Sequence, residues 1–332
     1  MTFEALIRQT RQRFPHYTDK RAEIMPLEMG GSDRRYYRIR FSVDYSLILV
    51  KYNLEVAENQ RFVAIANFLG GIGVNAPFIY YQDKEEGLIW MQDLGEEDLW
   101  HQRTESWPVR RQLYRNAINQ VITLHQTNLN LCQGIDLVHG FDEATYRWEQ
   151  NYCFEKCLGR YFHIAPERLE SLSRHPAFRK LARDLAKYPP VLVHRDFQSQ
   201  NIIIWDEQAY LIDFQGMRPG LGAYDLASLL FDPYVSLIES ERAELLGYYL
   251  ERAGAVWSRD EFISVYHKCA IQRLMQALGA YSVIGLLRKK PEFLRHIEPA
   301  LKLLRAVASS AEEFRFFAEF LAELPDRPPS QQ

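Results

Sequence analysis

The sequence predicts an α+β fold of two lobes, a β-rich N-terminal lobe over residues 1–95 and a larger, mainly helical lobe over residues 96–325. Three observations support this prediction. The chain has 332 residues, which is more than twice the ~150 residues of an average domain. Short alternating or apolar runs, which are typical of strands, dominate before residue 95. After about residue 108 the apolar residues recur at helical spacing, with one interruption.

The N-terminal lobe is predicted to combine four strands with one helix. The strands are expected over 36–40, 47–51, 78–82 and 88–92. The first two are joined across a polar stretch, as in a hairpin, and the last two are separated by the charged turn 83–87. Between these pairs, one apolar helical face is formed by Phe62, Ile65, Ala66 and Leu69. Gly70 and Gly71 are expected to stop that helix.

The second lobe is predicted to be helical, with one group of short strands inside it. Apolar stripes at helical spacing are formed by Leu113, Ala117, Val121 and Leu124, and later by Phe314, Phe317, Ala318 and Leu321. Short apolar runs interrupt the helical pattern at 191–193, 202–205 and 210–212, each beside a polar cluster. We expect the chemistry at this interruption. Residues 326–332, rich in proline and glutamine, are expected to form a frayed tail.

Composition and charge exclude several classes of protein. Lys and Arg number 40 against 43 Asp and Glu, which gives a net charge of -3. The sequence contains no run of five like charges that would indicate a nucleic-acid partner. The longest near-apolar stretch, 277–287, is well short of the ~20 residues that cross a bilayer, and the N-terminus lacks a secretory pattern. We therefore expect a cytoplasmic monomer without a membrane partner. The four cysteines are too few and irregular for a disulfide framework and are expected to pack inside.

The most specific chemical signal is the segment VLVHRDFQSQNIIIWDEQAYLIDFQG at residues 191–216. His194 and Asp196 follow a predicted strand, and Asn201 comes five residues after Asp196. Asp213 closes the next pair of apolar runs. Phosphoryl transfer needs a carboxylate that orients a hydroxyl nucleophile and oxygen ligands that hold Mg²⁺ on nucleotide phosphates. Because a hairpin returns Asp213 beside the first loop, this spacing predicts a phosphoryl-transfer site.

A structural interpretation of the same residues competes with the chemical one. Single Asp and Asn residues in loops usually satisfy backbone groups of turns. His194, Asp196 and Asn201 would then be turn residues, and Asp213 would cap a hairpin. The joint spacing of all four favours the chemical interpretation.

The segment, together with LGAYDLASLL at 221–230, resembles the aminoglycoside phosphotransferase and choline kinase superfamily, whose fold is that of eukaryotic protein kinases. A narrower resemblance is to bacterial anomeric sugar kinases that phosphorylate N-acetylmuramate and N-acetylglucosamine in peptidoglycan recycling. It is carried by GGSDRRYYRI at 30–39, ENQRF at 58–62, MQDLG at 91–95, FDEATYRWE at 141–149 and AIQRLMQALG at 270–279. The resemblance covers nearly the whole chain and implies a bilobal protein-kinase-like fold.

The resemblance implies a role for each residue of the central segment. Asp196 would be the catalytic base that orients the sugar hydroxyl, and His194 would support its loop. Asn201 and Asp213 would ligate Mg²⁺. Asp225, in the following helix, would brace the catalytic loop. The implied cofactors are ATP and Mg²⁺.

The resemblance also implies a nucleotide site in the first lobe. Gly30, Gly31 and Ser32 match the loop that covers the phosphates, and adjacent glycines let backbone approach a phosphate closely. The interlobe hinge, whose backbone would bind adenine, matches Gln92, Asp93 and Leu94.

Lys51 ends a predicted strand at the position where a kinase lysine reaches the α and β phosphates. A lysine on a strand is also commonly a solvated surface residue. Its acidic partner would be Glu58, at the start of the next helix, or Glu55.

The resemblance implies that the sugar is bound by Asp142, Arg147 and Glu149. Asp142 would cap the helix that carries the other two. A solvated charged helix face is the alternative for these three. Arg273 interrupts an apolar helix, and a buried arginine requires an anion, either the lactyl carboxylate of the substrate or an Asp or Glu of the lobe. Arg195 completes the triplet HRD, where many relatives have glycine.

Two alternatives to a cell-wall sugar kinase remain open at this point. The first keeps the chemistry but changes the acceptor to an aminoglycoside, choline or a protein Ser/Thr. The nearly balanced charge argues against a polycationic drug, and no APE sequence follows Asp213 as in protein kinases. The second is a nucleotide-binding scaffold without catalysis, which would lack Asp196, Asn201 or Asp213, and all three are present.

Overall fold

The computed structural model describes residues 2–17, 21–27, 34–43, 45–235, 237–254 and 258–325, without the side chains of residues 57 and 58. The strands are β1 (Glu23–Leu27), β2 (Arg35–Arg40), β3 (Ser46–Lys51), β4 (Ile79–Asp83), β5 (Leu88–Gln92), β6 (Val191–Val193), β7 (Ile202–Trp205), β8 (Gln208–Leu211) and β9 (Arg218–Gly220). The helices are α1 (Phe3–Arg13), α2 (Ala57–Gly71), α3 (Trp107–Gln126), α4 (Glu143–Tyr152), α5 (Pro166–Ser173), α6 (Pro176–Leu185), α7 (Gly222–Leu230), α8 (Glu239–Arg252), α9 (Arg259–Ser282), α10 (Ile297–Ser310) and α11 (Arg315–Ala322). The predicted tail, 326–332, lies outside the described residues.

Within the described residues, the N-terminal sheet has five strands in the order β1-β2-β3-β5-β4, with antiparallel pairing throughout. All four strands predicted in this lobe are present. The edge strand β1 was not predicted, because it contains Pro26, and proline is tolerated in a strand only where no ladder hydrogen bond is needed. The prediction for the end of α2 was wrong in detail: the helix includes Gly70 and Gly71, and the left-handed residue is Gly73, with φ of 81°.

The two faces of this sheet pack against different partners. Leu49 and Trp90 face α1, where they pack around Leu6, and the indole of Trp90 donates a hydrogen bond of 2.9 Å to Thr10 Oγ1. Ile48 and Val50 face α2 and the second lobe, and they belong to the apolar core that continues into that lobe. Only this inner face, on the second-lobe side, can border a site between the lobes.

The second lobe is built around α9, whose residues from Val265 to Ser282 are mostly buried. Helices α4, α7 and α10 pack on it. Two small antiparallel pairs, β6 with β9 and β7 with β8, lie in this helical lobe where the sequence predicts strands. The short β9 was not predicted. All four cysteines are buried and unbridged, which confirms their packing role.

The helices that the structure describes include none that is both long and apolar enough to cross a membrane.

Candidate active site

Buried side chains fix the loop that follows β6. Asp225, at the start of α7, is fully buried and accepts hydrogen bonds from the backbone N–H groups of His194 at 2.7 Å and Arg195 at 2.8 Å. His125 Nε2 donates to the same carboxylate at 3.1 Å, and Tyr249 contacts the other ring nitrogen of His125 at 2.9 Å. Asp225 therefore holds the direction of the loop, in the position predicted for a bracing residue.

His194 connects this loop to the next one. Its side chain is fully buried, and Nε2 lies 3.0 Å from the carbonyl oxygen of Ile212, so it donates to the residue that precedes Asp213. Arg195 has a left-handed backbone with φ of 77°, which is unfavourable for a side chain with a Cβ. The two hydrogen bonds to Asp225 offset that strain.

Asp196 lies in a pocket of positive charge. Its side chain is 21% exposed, Arg195 Nη1 donates to Oδ2 at 2.5 Å, and Arg273 Nη2 is 3.6 Å from Oδ1. Burial opposes ionisation of this carboxyl, but the charges of Arg195 and Arg273 keep its pKa below the usual value. Asp196 is therefore ionised at neutral pH, as a group that accepts a hydrogen bond from a hydroxyl nucleophile must be.

Asn201 and Asp213 lie side by side at the base of the β7–β8 hairpin. Asn201 Nδ2 donates to the carbonyl oxygen of Asp196 at 2.8 Å, and the Asn201 carbonyl oxygen accepts from the Ile212 N–H at 3.0 Å. Asp213 is exposed, has a left-handed backbone with φ of 59°, and accepts from Gln215 at 2.6 Å. The loop of Asp196 and the pair Asn201 and Asp213 thus meet, as the spacing predicts.

The chemistry of these two donors fits Mg²⁺. One amide oxygen and one carboxylate are hard oxygen ligands, and Mg²⁺ on a nucleotide takes only one or two protein ligands, with phosphates and water completing its coordination. Within the described ranges of the chain, no group of three His, Cys, Asp or Glu side chains forms a separate metal site. Asn201 and Asp213 would therefore hold the ion together with the phosphates.

Helix α2 is connected to this second-lobe segment through two aromatic rings. The rings of Phe62 on α2 and Phe214, directly after Asp213, are 4.9 Å apart. On the same helix Asn59 accepts a hydrogen bond of 2.6 Å from Arg34, just before β2. Helix α2 thus packs against the residue that follows Asp213, and this contact links the position of the helix to the backbone of Asp213.

The structure corrects the prediction for Lys51. In the β3 register Lys51 pairs with Leu88, and its side chain lies on the outer face with Leu49 and Trp90. Lys51 Nζ donates to the carbonyl oxygen of Glu86, in the β4–β5 turn, at 3.1 Å. Because strand side chains alternate between faces, Lys51 does not reach the inner face where a nucleotide would bind.

The inner face carries Arg38 instead, which pairs with Ile48 across β2 and β3. Arg38 donates to Asp93 at 2.6 Å and 3.1 Å and also contacts Glu96, while Ser46 donates to Asp93 at 2.6 Å. Burial opposes ionisation of Asp93, but the bonds from Arg38 and Ser46 keep its pKa low. The Asp93 side chain therefore anchors the predicted hinge to the sheet.

The other residues predicted for the nucleotide are placed as follows. Leu94 is buried beside Asp93, and the side chain of Gln92 accepts a hydrogen bond of 3.3 Å from the Phe78 N–H. Gly30, Gly31 and Ser32 lie outside the described residues, and so does the side chain of Glu58. Glu55 is exposed.

Of the residues predicted for the sugar, Arg273 lies beside Asp196, and Glu149 interacts electrostatically with Arg195 and Arg273. Glu149 is buried and accepts hydrogen bonds from Tyr224 at 3.0 Å and Gln272 at 2.9 Å. Burial raises the pKa of Glu149. Arg273 donates to Ser228 Oγ at 2.9 Å, and its carboxylate partner in the lobe is Asp196.

Arg147 lies outside this cluster, and its role in binding the sugar stays a prediction. It lies two residues before Glu149, on the opposite side of α4. Arg147 donates to Gln150 at 2.7 Å and to the Ser173 carbonyl oxygen at 3.2 Å, toward α5. Asp142 caps α4 as predicted, accepting from the Thr145 N–H at 2.7 Å, and this capping bond occupies its Oδ1.

Two residues near the site were missed by sequence reasoning. His125 is a single histidine at the end of an apolar helix, and nothing local pairs it with Asp225, a hundred residues away. Arg218 lies on the unpredicted β9, opposite Val193. The available signal was its position between Asp213 and Asp225, inside the segment that carries the resemblance.

The model of the phosphotransferase enzyme family, APH, matches residues 23–263, which include the sheet and the whole catalytic loop. The chain belongs to this family of phosphotransferases. The predicted kinase-like fold is confirmed by solved structures. One is the ADP-bound aminoglycoside phosphotransferase APH(2'')-Ib, with a TM-score of 0.59, 15% identity and coverage of 88% of this chain and 97% of that one. Another is choline kinase LicA from Streptococcus pneumoniae, with a TM-score of 0.60, 15% identity and coverage of 91% and 99%.

Within the family, the chain is similar to proteins named N-acetylmuramate/N-acetylglucosamine kinase. The one from Pseudomonas aeruginosa PAO1 is 26% identical over 315 residues, covering 92% of this chain and 89% of the relative. The one from Neisseria meningitidis serogroup B is 24% identical over 302 residues, covering 88% and 87%. These relatives confirm the narrower resemblance that the sequence motifs indicate.

Proposed function

We propose that this phosphotransferase is an ATP-dependent kinase that phosphorylates the anomeric hydroxyl of N-acetylmuramate, N-acetylglucosamine or both, in peptidoglycan recycling. The observation that carries the proposal is the convergence of Asp196 with Asn201 and Asp213 on a loop fixed by Asp225. The names of the similar proteins supply the acceptor.

Asp196 acts by accepting a hydrogen bond from the acceptor hydroxyl and aligning its oxygen for in-line attack on the γ-phosphorus. Its low pKa keeps it ionised for this purpose. Asn201 and Asp213 would hold Mg²⁺ together with the phosphates, and the ion would neutralise the charge that develops during transfer. Arg38 and Asp93 hold the hinge against the sheet, where adenine would bind to backbone.

The charge around Asp196 favours this acceptor over an aminoglycoside or choline. Arg195, Arg273 and Arg218 all interact electrostatically with Asp196. A cationic acceptor that enters this pocket would be repelled by the charges of the three arginines, whereas a neutral sugar would not be repelled and an anionic sugar would be attracted.

The test is ADP release with ATP and Mg²⁺ over a panel of acceptors: N-acetylmuramate, N-acetylglucosamine, glucosamine, kanamycin and choline. We expect turnover with the two acetylated sugars, and at least tenfold lower kcat/KM with kanamycin and choline. Turnover with kanamycin or choline alone would contradict the proposal. Binding of ATP without turnover on any acceptor would favour the scaffold alternative.

A further inference from the structure

Arg218 borders the Asp196 loop from β9. It pairs with Val193 in the β6–β9 ladder, and its Nε donates to the carbonyl oxygen of Gly216 at 3.0 Å. Gly216 in turn borders the predicted base, since a Cβ placed on it would lie 3.9 Å from Asp196 Oδ2. Gly216 therefore contacts Arg218 through its carbonyl oxygen and also lies beside Asp196.

The three arginines around Asp196 differ in their partners. Arg195 and Arg273 both approach the Asp196 carboxylate, at 2.5 Å and 3.6 Å. The guanidinium carbon of Arg218 lies 5.1 Å from the ring centre of Phe141. Across the described part of the chain, no carboxylate oxygen lies within 4.0 Å of the Arg218 guanidinium, and neither Nη1 nor Nη2 has a protein hydrogen-bond partner.

The positive charge of Arg218 has no paired carboxylate among the described residues. Partial burial and the neighbouring charge of Arg195 lower the pKa of Arg218, so its positive charge is held at an electrostatic cost. The carboxylates that interact electrostatically with Arg218 are Asp196, which already pairs with Arg195 and Arg273, and Glu149, whose pKa is raised by burial. Neither is paired with Arg218, so an anionic group on a ligand would compensate its charge.

Arg218 and the predicted metal ligands lie on different elements of the second lobe. Asn201 and Asp213, which would hold the metal and phosphates, are at the β7–β8 hairpin. Arg218 instead contacts Phe141, whose N–H donates to the Pro219 carbonyl oxygen at 2.9 Å just before α4 begins. Helix α4 carries Glu149 toward the arginines. Arg218 thus lies beside the segment that leads into α4, whereas the predicted metal ligands lie at the β7–β8 hairpin.

We propose that Arg218 binds a carboxylate of the acceptor and so favours an acidic amino sugar over its neutral counterpart. This inference rests on the proposed function, because it takes the acceptor to be an amino sugar. N-acetylmuramate carries a lactyl carboxylate that N-acetylglucosamine lacks, so the pair isolates the contribution of that charge. A guanidinium with two free Nη groups can bind a carboxylate through two parallel hydrogen bonds.

The experiment compares wild type, Arg218→Gln and Arg218→Lys in steady-state kinetics with both sugars and with the methyl ester of N-acetylmuramate. For Arg218→Gln we expect kcat/KM for N-acetylmuramate to fall about 30-fold, with a smaller fall for N-acetylglucosamine, because charge-assisted hydrogen bonds to the carboxylate are lost. Arg218→Lys keeps the charge and should retain part of the preference. With wild type, kcat/KM for the methyl ester should be lower than that for N-acetylmuramate, by the same factor by which Arg218→Gln lowers kcat/KM for the acid. Arg218→Gln should lower kcat/KM for the ester only a little further.

The control is Arg174→Gln, an exposed arginine paired with Glu170 on α5, which should not change the ratio of the two kcat/KM values. An equal loss of kcat for both sugars in Arg218→Gln would contradict the inference and indicate contact with the transferring phosphate. An unchanged ratio would also contradict it, while leaving the proposed function intact. Turnover of neither sugar by wild type would overturn the proposed function and this inference together.

Discussion

The catalytic loop and the inner face of the sheet both present charged groups to the cleft, but different forces hold them. In the loop, one buried carboxylate, Asp225, accepts two backbone N–H groups and a histidine. In the sheet, strand register places Arg38 on the inner face, where Asp93 then holds it, and Lys51 on the outer face; a shift of one residue in either strand would move its side chains to the other face. The comparison teaches that the loop is vulnerable to single side-chain changes, whereas the sheet is vulnerable to changes in pairing.

The largest expected effect is at the end of the braced loop. Asp196→Asn replaces the carboxylate that orients the hydroxyl nucleophile with an uncharged amide, which is a weaker acceptor and cannot take up a proton, and we expect kcat to fall about 10³-fold. Nucleotide affinity, measured by calorimetry with ADP, should be retained. The control is Asp206→Asn in the exposed β7–β8 turn, which keeps a residue type that tolerates its φ of 49°. A kcat within tenfold of wild type would refute the role of Asp196.

The brace itself is the next test of the comparison. Asp225→Asn replaces one accepting oxygen with an NH₂ group that faces a donor, so a buried N–H loses its partner. We expect the free energy of unfolding to fall by about 3 kcal/mol and kcat by about 10²-fold, because the loop that carries Asp196 is misplaced. Urea unfolding and steady-state kinetics measure both effects. Asp260→Asn, exposed on α9, should change neither; a stable, fully active Asp225→Asn enzyme would show that the loop needs no brace.

A matched pair of variants tests the sheet. Arg38→Ala breaks the ion pair with Asp93 that anchors the hinge, and we expect KM for ATP to rise about tenfold, since adenine would bind to the released backbone. Lys51→Ala should leave KM for ATP within about twofold, because Lys51 only contacts the Glu86 carbonyl oxygen on the outer face. The opposite result, a raised KM in Lys51→Ala alone, would mean that the strand register is shifted by one residue in solution.

The smallest expected effect concerns acidic pH. Arg195 lowers the pKa of Asp196, so Arg195→Gly should raise that pKa and move the acidic limb of the kcat/KM profile to higher pH. At neutral pH Asp196 stays ionised, and the loss should be a few-fold. Lys289→Gly is the control, because it relieves a similar left-handed backbone on the surface without changing charge near the site. An unmoved acidic limb would show that Arg195 does not set the ionisation of Asp196.

The sequence predicts the second-lobe part of the site better than the first-lobe part. His194, Asp196, Asn201 and Asp213 belong to one segment, so their spacing along the chain constrains their positions in space. Lys51 is a single residue on a strand, where the sequence places it at an end but leaves its face undetermined.

The sequence does not resolve contacts between residues that lie far apart in the chain. Arg147 and Glu149 share one helix, and only its packing against α5 and α9 decides which of them turns toward Asp196. His125 and Arg218 reach the site through the contacts of α3 with Asp225 and of β9 with β6. Neither contact leaves a local pattern in the chain.

The most direct test of the central claim follows the phosphate itself. Wild type and Asp196→Asn are incubated with ATP, Mg²⁺ and either N-acetylmuramate or N-acetylglucosamine, each labelled with carbon-13 at the anomeric carbon, and the labelled carbon is observed by NMR. We predict that coupling to phosphorus appears on the anomeric carbon with wild type and not with Asp196→Asn over the same time. A phosphate at another position, no phosphorylated sugar with wild type, or equal rates for the two proteins would contradict the account.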